Sequence, residues 1–115
     1  MESFRYQLNE DIGQAISQKA QKLFQHFSQK DSECFKKNSD SVDKYLKCMT
    51  NLIEGSENAE KEIQYQVGGI IYEMQNCQKK SEDDKNKLRQ CADNVKQQAE
   101  AQLDKITNKF INQYK

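Results

Sequence analysis

The 115-residue chain contains no proline, no tryptophan and only four glycines. It also lacks any apolar run close to the ~20 residues that a membrane-spanning helix needs. Strand-favouring residues are few and do not alternate, so β-strands are not expected. The first ten residues include acidic side chains and no apolar segment, which predicts neither a secretory signal peptide nor a mitochondrial presequence there. These absences favour an all-α chain without a membrane span.

The chain also has no net charge, because 18 basic residues balance 18 acidic ones. Nucleic acid or an anionic membrane surface would call for a basic excess on one face, so neither is expected as the main partner. The mean hydropathy is low, at −1.09, and charged residues make up 31% of the chain. Disordered chains usually combine low hydrophobicity with high net charge, whereas here the charges cancel. We therefore expect long, solvent-exposed helices in one domain, residues 1–115.

Apolar residues at three- and four-residue steps define the expected helices. The spacing predicts four of them, at about 3–30, 41–54, 57–79 and 82–114. For the second helix, one clean apolar face is expected, made of Val42, Tyr45, Leu46, Met49, Leu52 and Ile53.

Three short polar or glycine-containing segments indicate where these helices end or bend. Gly55-Ser56 is expected to end the second helix and cap the third. Ser81, followed by acidic residues, is expected to cap the fourth. Gly68-Gly69 costs a helix about 2 kcal/mol, which predicts a kink or a close helix contact there. The fold predicted is an elongated bundle of two tandem helical hairpins, units of about 3–54 and 57–114.

The four cysteines lie in two matching stretches, and each stretch is Cys-x13-Cys. Cys34 and Cys48 each recur 43 residues later, as Cys77 and Cys91. Each cysteine falls on an apolar stripe, where a disulfide between two helices must lie for its Cβ atoms to approach. This internal repeat predicts two disulfides, although a single buried cysteine also serves as a small apolar residue.

Two pairings of the cysteines are open. The local scheme joins Cys34 to Cys48 and Cys77 to Cys91. The nested scheme joins Cys34 to Cys91 and Cys48 to Cys77. Capping residues at 38–41 and 81–84 lie midway between the members of each local pair, where hairpin turns are expected, so we prefer the local scheme. A closed loop of this length stabilises the fold by about 3 kcal/mol.

Metal binding and catalysis have little support. Structural zinc sites use cysteine pairs two to four residues apart, and this chain has none. Nucleophilic cysteine catalysis needs a histidine beside the thiolate. The single histidine, His26, lies on the first predicted helix and is interpreted as a surface or boundary residue. We predict no enzyme activity, no cofactor and no metal.

The twin cysteine pairs in a small, helical chain resemble the twin Cys-x-Cys helical-hairpin proteins of the mitochondrial intermembrane space. The resemblance covers residues 34–91 and rests on Cys34, Cys48, Cys77 and Cys91, which are spaced by x13 instead of that family's usual x9. It implies nested pairing, oxidative folding after import, and a role as an accessory subunit or assembly factor of respiratory complexes.

Three functional hypotheses follow. In the first, a non-catalytic, disulfide-stabilised protein packs its apolar helix faces against protein partners, or against itself, in an oxidising compartment. The mitochondrial intermembrane space is the favoured compartment, and secretion is next. In the second, a secreted helical module encloses a lipid or another apolar molecule in a cavity lined by Ile63, Val67, Ile70 and Val95. In the third, the chain is a cytosolic coiled-coil adaptor with reduced thiols.

Overall fold

The computed structural model describes residues 2–115, which form three long α-helices. These are α1 (Glu2–Lys37), α2 (Val42–Ser81) and α3 (Lys85–Gln113). Each helix contacts both of the others, and the bundle is a rod of 64 × 18 × 18 Å. Since the chain reverses at each turn, α2 is antiparallel to its two neighbours. The prediction of an elongated, all-α protein is confirmed.

The prediction of four helices in two tandem hairpins is wrong, because α2 continues through Gly55 and Ser56. A glycine inside a helix costs only about 1 kcal/mol, which packing on both sides can outweigh. Leu52 and Ala59 flank it and are both buried in the core. Gly55 is itself buried, and a Cβ atom placed there would lie 2.7 Å from Tyr114 Oη. Glycine at this position admits a tyrosine ring and does not end the helix.

Helix α1 is longer than predicted and reaches Lys37 instead of ending near residue 30. Phe27 and Cys34 are both buried, and their seven-residue spacing places them on one face of the helix. Asp31 and Ser32 are exposed between them. These polar residues therefore lie on the solvent side of a continuous helix, and the chain does not turn there.

The first turn, residues 38–41, is held by local hydrogen bonds. Asn38 donates from its backbone N–H and from Nδ2 to the Cys34 carbonyl, at 3.2 and 2.9 Å. Ser41 is the N-cap of α2, and its Oγ accepts the backbone N–H of Lys44 at 3.3 Å. The side chains of Asn38 and Ser41 thus each bind a free backbone group, one at the end of α1 and one at the start of α2.

In the second turn, the predicted cap is displaced by three residues. Ser81 is the last residue of α2 and is buried, whereas Asp84 is the N-cap of α3. Asp84 Oδ1 accepts the backbone N–H groups of Asn86 and Lys87, at 3.0 and 3.2 Å. A carboxylate that satisfies two free donors at the positive end of the helix explains why α3 begins after Asp84.

The apolar interior consists of two clusters, one toward each end of the rod, and Ile16 packs against both. The cluster near the α2–α3 turn contains Leu8, Ile12, Ile70, Met74, Cys77, Leu88, Ala92, Val95 and Ala99. The cluster near the α1–α2 turn contains Leu23, Phe27, Cys34, Leu52, Ala59, Ile63, Leu103, Ile106 and Phe110. All three helices contribute to both clusters, so the interior belongs to the whole bundle.

Candidate interaction surface

The two disulfides cross the two turns at opposite ends of the rod. Cys34 is joined to Cys48, with their Cα atoms 5.8 Å apart, and Cys77 to Cys91, with theirs 5.6 Å apart. Both Cα separations are typical of disulfides. The nested scheme would join Cys48 to Cys77, but these residues lie 29 positions apart on the continuous helix α2, which separates them by about 44 Å. The pairing in the structure is therefore the local one.

Each disulfide is part of an apolar cluster. Cys34 and Cys77 are 3% and 1% exposed, and their partners Cys48 and Cys91 are half-buried. Disulfides are typical of oxidising compartments, and here each one fixes a turn between two core-forming helices. The molecule is a disulfide-stabilised helical protein.

His26 has a structural contact within the bundle. Its Nε2 lies 2.9 Å from the Tyr114 carbonyl oxygen and donates to it, which ties α1 to the end of α3. Across residues 2–115, no group of three or more His, Cys, Asp or Glu side chains is arranged to hold a metal ion. Over the same range, no helix is long and apolar enough to cross a membrane.

The apolar face predicted for residues 42–53 is largely wrong. Of its six members only Leu52 is buried, whereas Val42, Leu46 and Ile53 are 73%, 49% and 48% exposed. The reason is that this segment carries two apolar stripes about 100° apart around the helix. One contains Leu52 and faces the core. The other, here named the α2 stripe, consists of Val42, Leu46, Met49 and Ile53.

The α2 stripe has the four- and three-residue spacing of a coiled-coil seam. Beside it, the exposed Phe35 at the end of α1 packs edge-on against Tyr45, with ring centroids 5.7 Å apart. The stripe therefore begins at the α1–α2 turn, next to the Cys34–Cys48 disulfide. In the sequence, the α2 stripe is visible as a second apolar periodicity within residues 42–53, whereas the prediction placed all six residues on one face.

The apolar residues named for a closed ligand cavity lie in different places. Ile63 belongs to the cluster near the α1–α2 turn, whereas Ile70 and Val95 belong to the other. Val67 and Ile70 line an open groove of about 400 Å³ between α1 and α2. Ile70 also lines a second, shallow groove of about 190 Å³ between α2 and α3, together with Val95. These four side chains therefore do not enclose a common cavity.

Gly68 and Gly69 do not mark a break or a close helix contact. Helix α2 is continuous through them, both are exposed, and a Cβ atom at either position would have no neighbour within 4 Å. The predicted close helix contact is therefore not found at either glycine.

Ion pairs between helices connect α3 to its neighbours. Lys19 of α1 binds Asp104 at 2.7 Å, and Lys109 of α3 binds Glu62 of α2 at 2.6 Å. The hydrogen bond with Asp104 raises the pKa of Lys19. In the part of the chain that the structure describes, no ion pair crosses between α1 and α2. Within these residues, ion pairs thus connect α3 to each of its neighbours, whereas none spans the open α1–α2 groove.

Comparison of the chain with protein-family models, with curated proteins and with solved structures found no match.

Proposed function

We propose that this protein is a non-catalytic interaction protein that binds a protein partner through an apolar helix face. It acts as an accessory or scaffolding subunit of a larger complex. The observation that carries the proposal is the α2 stripe, in which Val42, Leu46 and Ile53 are exposed although the interior beneath them is packed. Contiguous exposed apolar surface on a soluble helix is typical of a docking site.

The disulfides support an oxidising compartment as the place of action. The resemblance to the twin Cys-x-Cys proteins favours the mitochondrial intermembrane space, with secretion as the next choice. The local pairing differs from that family's nested pairing, so the compartment rests on the presence of the disulfides and on the small helical fold.

Site-specific photo-crosslinking in the native cell tests this proposal. A benzophenone amino acid replaces Leu46 in one variant and Tyr65 in the other, because both side chains are exposed, at 49% and 81%. We expect a defined protein adduct from position 46 and little or none from position 65, which lies about 100° away around α2. Equal labelling from both positions, or no protein adduct from position 46, would refute the proposal.

A further inference from the structure

Most of the exposed apolar surface lies on one side of the rod, where α1 and α2 meet. Of the nine large apolar side chains that are exposed among residues 2–115, helix geometry assigns seven to this side. We name it the α1–α2 face, and it consists of Tyr6, Phe24, Phe35, Val42, Leu46, Ile53 and Ile71. The other two, Tyr65 and Tyr72, lie elsewhere on α2.

Helix geometry and contacts show that these residues form one surface. With about 100° between successive residues, Tyr6, Gly13 and Phe35 lie within ~20° of Phe24 around α1. In the same way, the three α2 residues before Ile71 lie within ~20° of it. Gly13 and Ile71 line the same groove of about 400 Å³ between the two helices. The face therefore includes this groove in the half of the rod near the α2–α3 turn, and its residues continue along both helices to the α1–α2 turn.

The charges on this face have a single sign. Within ~40° of Phe24 on α1 and of Ile71 on α2, the only charged residues are acidic. They are Glu2, Glu10, Asp31, Glu57 and Glu60. Every Lys and Arg of α1 and α2 lies at least ~80° from those reference residues. In a chain of zero net charge, this face is apolar and acidic, and the basic side chains lie elsewhere.

We propose that the α1–α2 face binds one amphipathic helix of a protein partner, whose apolar stripe is flanked by Lys or Arg side chains. The inference rests on the proposed function and specifies its site and partner. From Tyr6 to Phe35 the face is about 44 Å long, which matches a helix of ~29 residues. A partner helix docked in the groove completes a four-helix bundle. The Lys and Arg side chains of the partner then lie close to the carboxylates of the α1–α2 face.

Charge also argues against two other occupants. A second copy of the chain on this face would bring its acidic residues against the same acidic residues, which is unfavourable. An anionic lipid surface would be repelled for the same reason. A basic helix is the occupant that gains from both the apolar and the charged side chains.

Two synthetic peptides test the inference with the full disulfide-bonded chain. Both are helical, about four heptads long, with Leu at a and d; one has Lys and the other Glu at e and g. Fluorescence anisotropy at physiological salt measures binding. We expect the Lys peptide to bind at least about tenfold more tightly than the Glu peptide. Equal affinity of the two peptides, or no binding of the Lys peptide, would overturn the inference.

Paired variants locate the binding. The double variant Leu46→Ser, Ile53→Ser should bind the Lys peptide about tenfold or more weakly than the unchanged chain does. Its control, Tyr65→Ser with Tyr72→Ser, also removes two exposed apolar side chains and should change affinity by less than about twofold. Circular dichroism checks that both variants fold. If both pairs of substitutions change the affinity equally, the peptide does not bind at the α1–α2 face, and the inference is overturned.

A second pair tests the charges. The double variant Glu57→Lys, Glu60→Lys should bind the Lys peptide about tenfold more weakly and the Glu peptide about tenfold more tightly. The control, Glu54→Lys with Glu73→Lys, makes the same charge change on exposed positions of α2 outside the face. If both charge pairs act alike, the acidic face does not select the partner.

Sedimentation and crosslinking separate this inference from the proposed function. A dimer that dissociates in the Leu46→Ser, Ile53→Ser variant would assign the face to a second copy and overturn the inference. A partner adduct at position 46 that persists in the Glu57→Lys, Glu60→Lys variant would also overturn it while leaving the proposed function standing. If no tested position gives a protein adduct, both the inference and the proposed function are refuted.

Discussion

At the scale of single residues, Tyr114 closes the end of the bundle by contacts with both other helices. Its ring lies against Gly55 of α2, and its centroid is 5.4 Å from that of Phe27 of α1. Its backbone carbonyl accepts the hydrogen bond from His26. The end of α3 is therefore held by side-chain packing on one helix and a hydrogen bond to another.

The close contact at Gly55 predicts the effect of adding one methyl group. Gly55→Ala should displace the Tyr114 ring, whereas Gly69→Ala meets open space. Both substitutions gain about 1 kcal/mol of helix propensity, so the difference between them isolates the ring contact. We expect Gly55→Ala to be less stable than Gly69→Ala by about 1–2 kcal/mol in urea unfolding followed by circular dichroism.

A double-mutant cycle provides the control for this prediction. In a Tyr114→Ala background the ring is absent, so the two glycine substitutions should have the same effect on the free energy of unfolding. A difference that persists without the ring would mean that Gly55 is needed for another reason.

At the scale of elements, α2 determines the organisation of the molecule. It packs against both α1 and α3 and contributes to both apolar clusters, and each of its ends carries one half of a disulfide. The 43-residue offset between the cysteine stretches is thus the distance between two successive turns of one bundle. The two stretches are the two turns, and the helix between them is shared.

Removal of each disulfide should therefore act at one end of the molecule. Cys34→Ala with Cys48→Ala, and separately Cys77→Ala with Cys91→Ala, each open a loop with a sequence separation of 14. We expect each change to lower the free energy of unfolding by about 3 kcal/mol, because the unfolded chain regains the entropy of the closed loop. Urea unfolding measures both.

Peptide mapping without reductant tests how the four cysteines are paired. It should recover Cys34 linked to Cys48 and Cys77 linked to Cys91. Because the two disulfides lie about 44 Å apart along α2, their effects on stability should add in the quadruple alanine variant. Recovery of a peptide that links Cys48 to Cys77 would contradict the continuous α2 helix.

At the scale of the whole molecule, the three helices form one thin rod with a radius of gyration of 18.5 Å. Each of its two apolar clusters draws side chains from all three helices. A cut near Gly55 would therefore expose the interior of both resulting pieces. Stability here depends on the complete bundle, with a disulfide at each end.

This organisation predicts how fragments behave. Residues 1–54 and 57–115, prepared separately with their disulfides intact, should lose much of their helix content and should melt without a cooperative transition. The physical reason is that each fragment lacks one side of its apolar cluster. Thermal melts by circular dichroism measure this, with the intact chain as reference.

Two independently folded hairpins would give a different result. If both fragments melted cooperatively, and their helix contents added up to that of the intact chain, the shared-core description would be wrong.

The number of apolar stripes in a segment determines whether its buried face can be predicted from the sequence. In the last helix, the apolar residues at three- and four-residue steps from Leu88 to Phe110 form a single stripe, which is buried except for the half-buried Cys91. The segment 42–53 has two stripes, and its periodicity does not say which of them a neighbouring helix covers. The exposed α2 stripe was therefore missed.

The sequence by itself determined the all-α class, most of the buried stripes and the sites of both turns. These depend on helical spacing and on capping side chains, which act within a few residues. Only the tertiary structure decided that the chain has three helices, that Gly55 lies inside one of them, and that an apolar and acidic face remains open. Each of these depends on contacts such as Gly55 with Tyr114, between residues far apart in the chain.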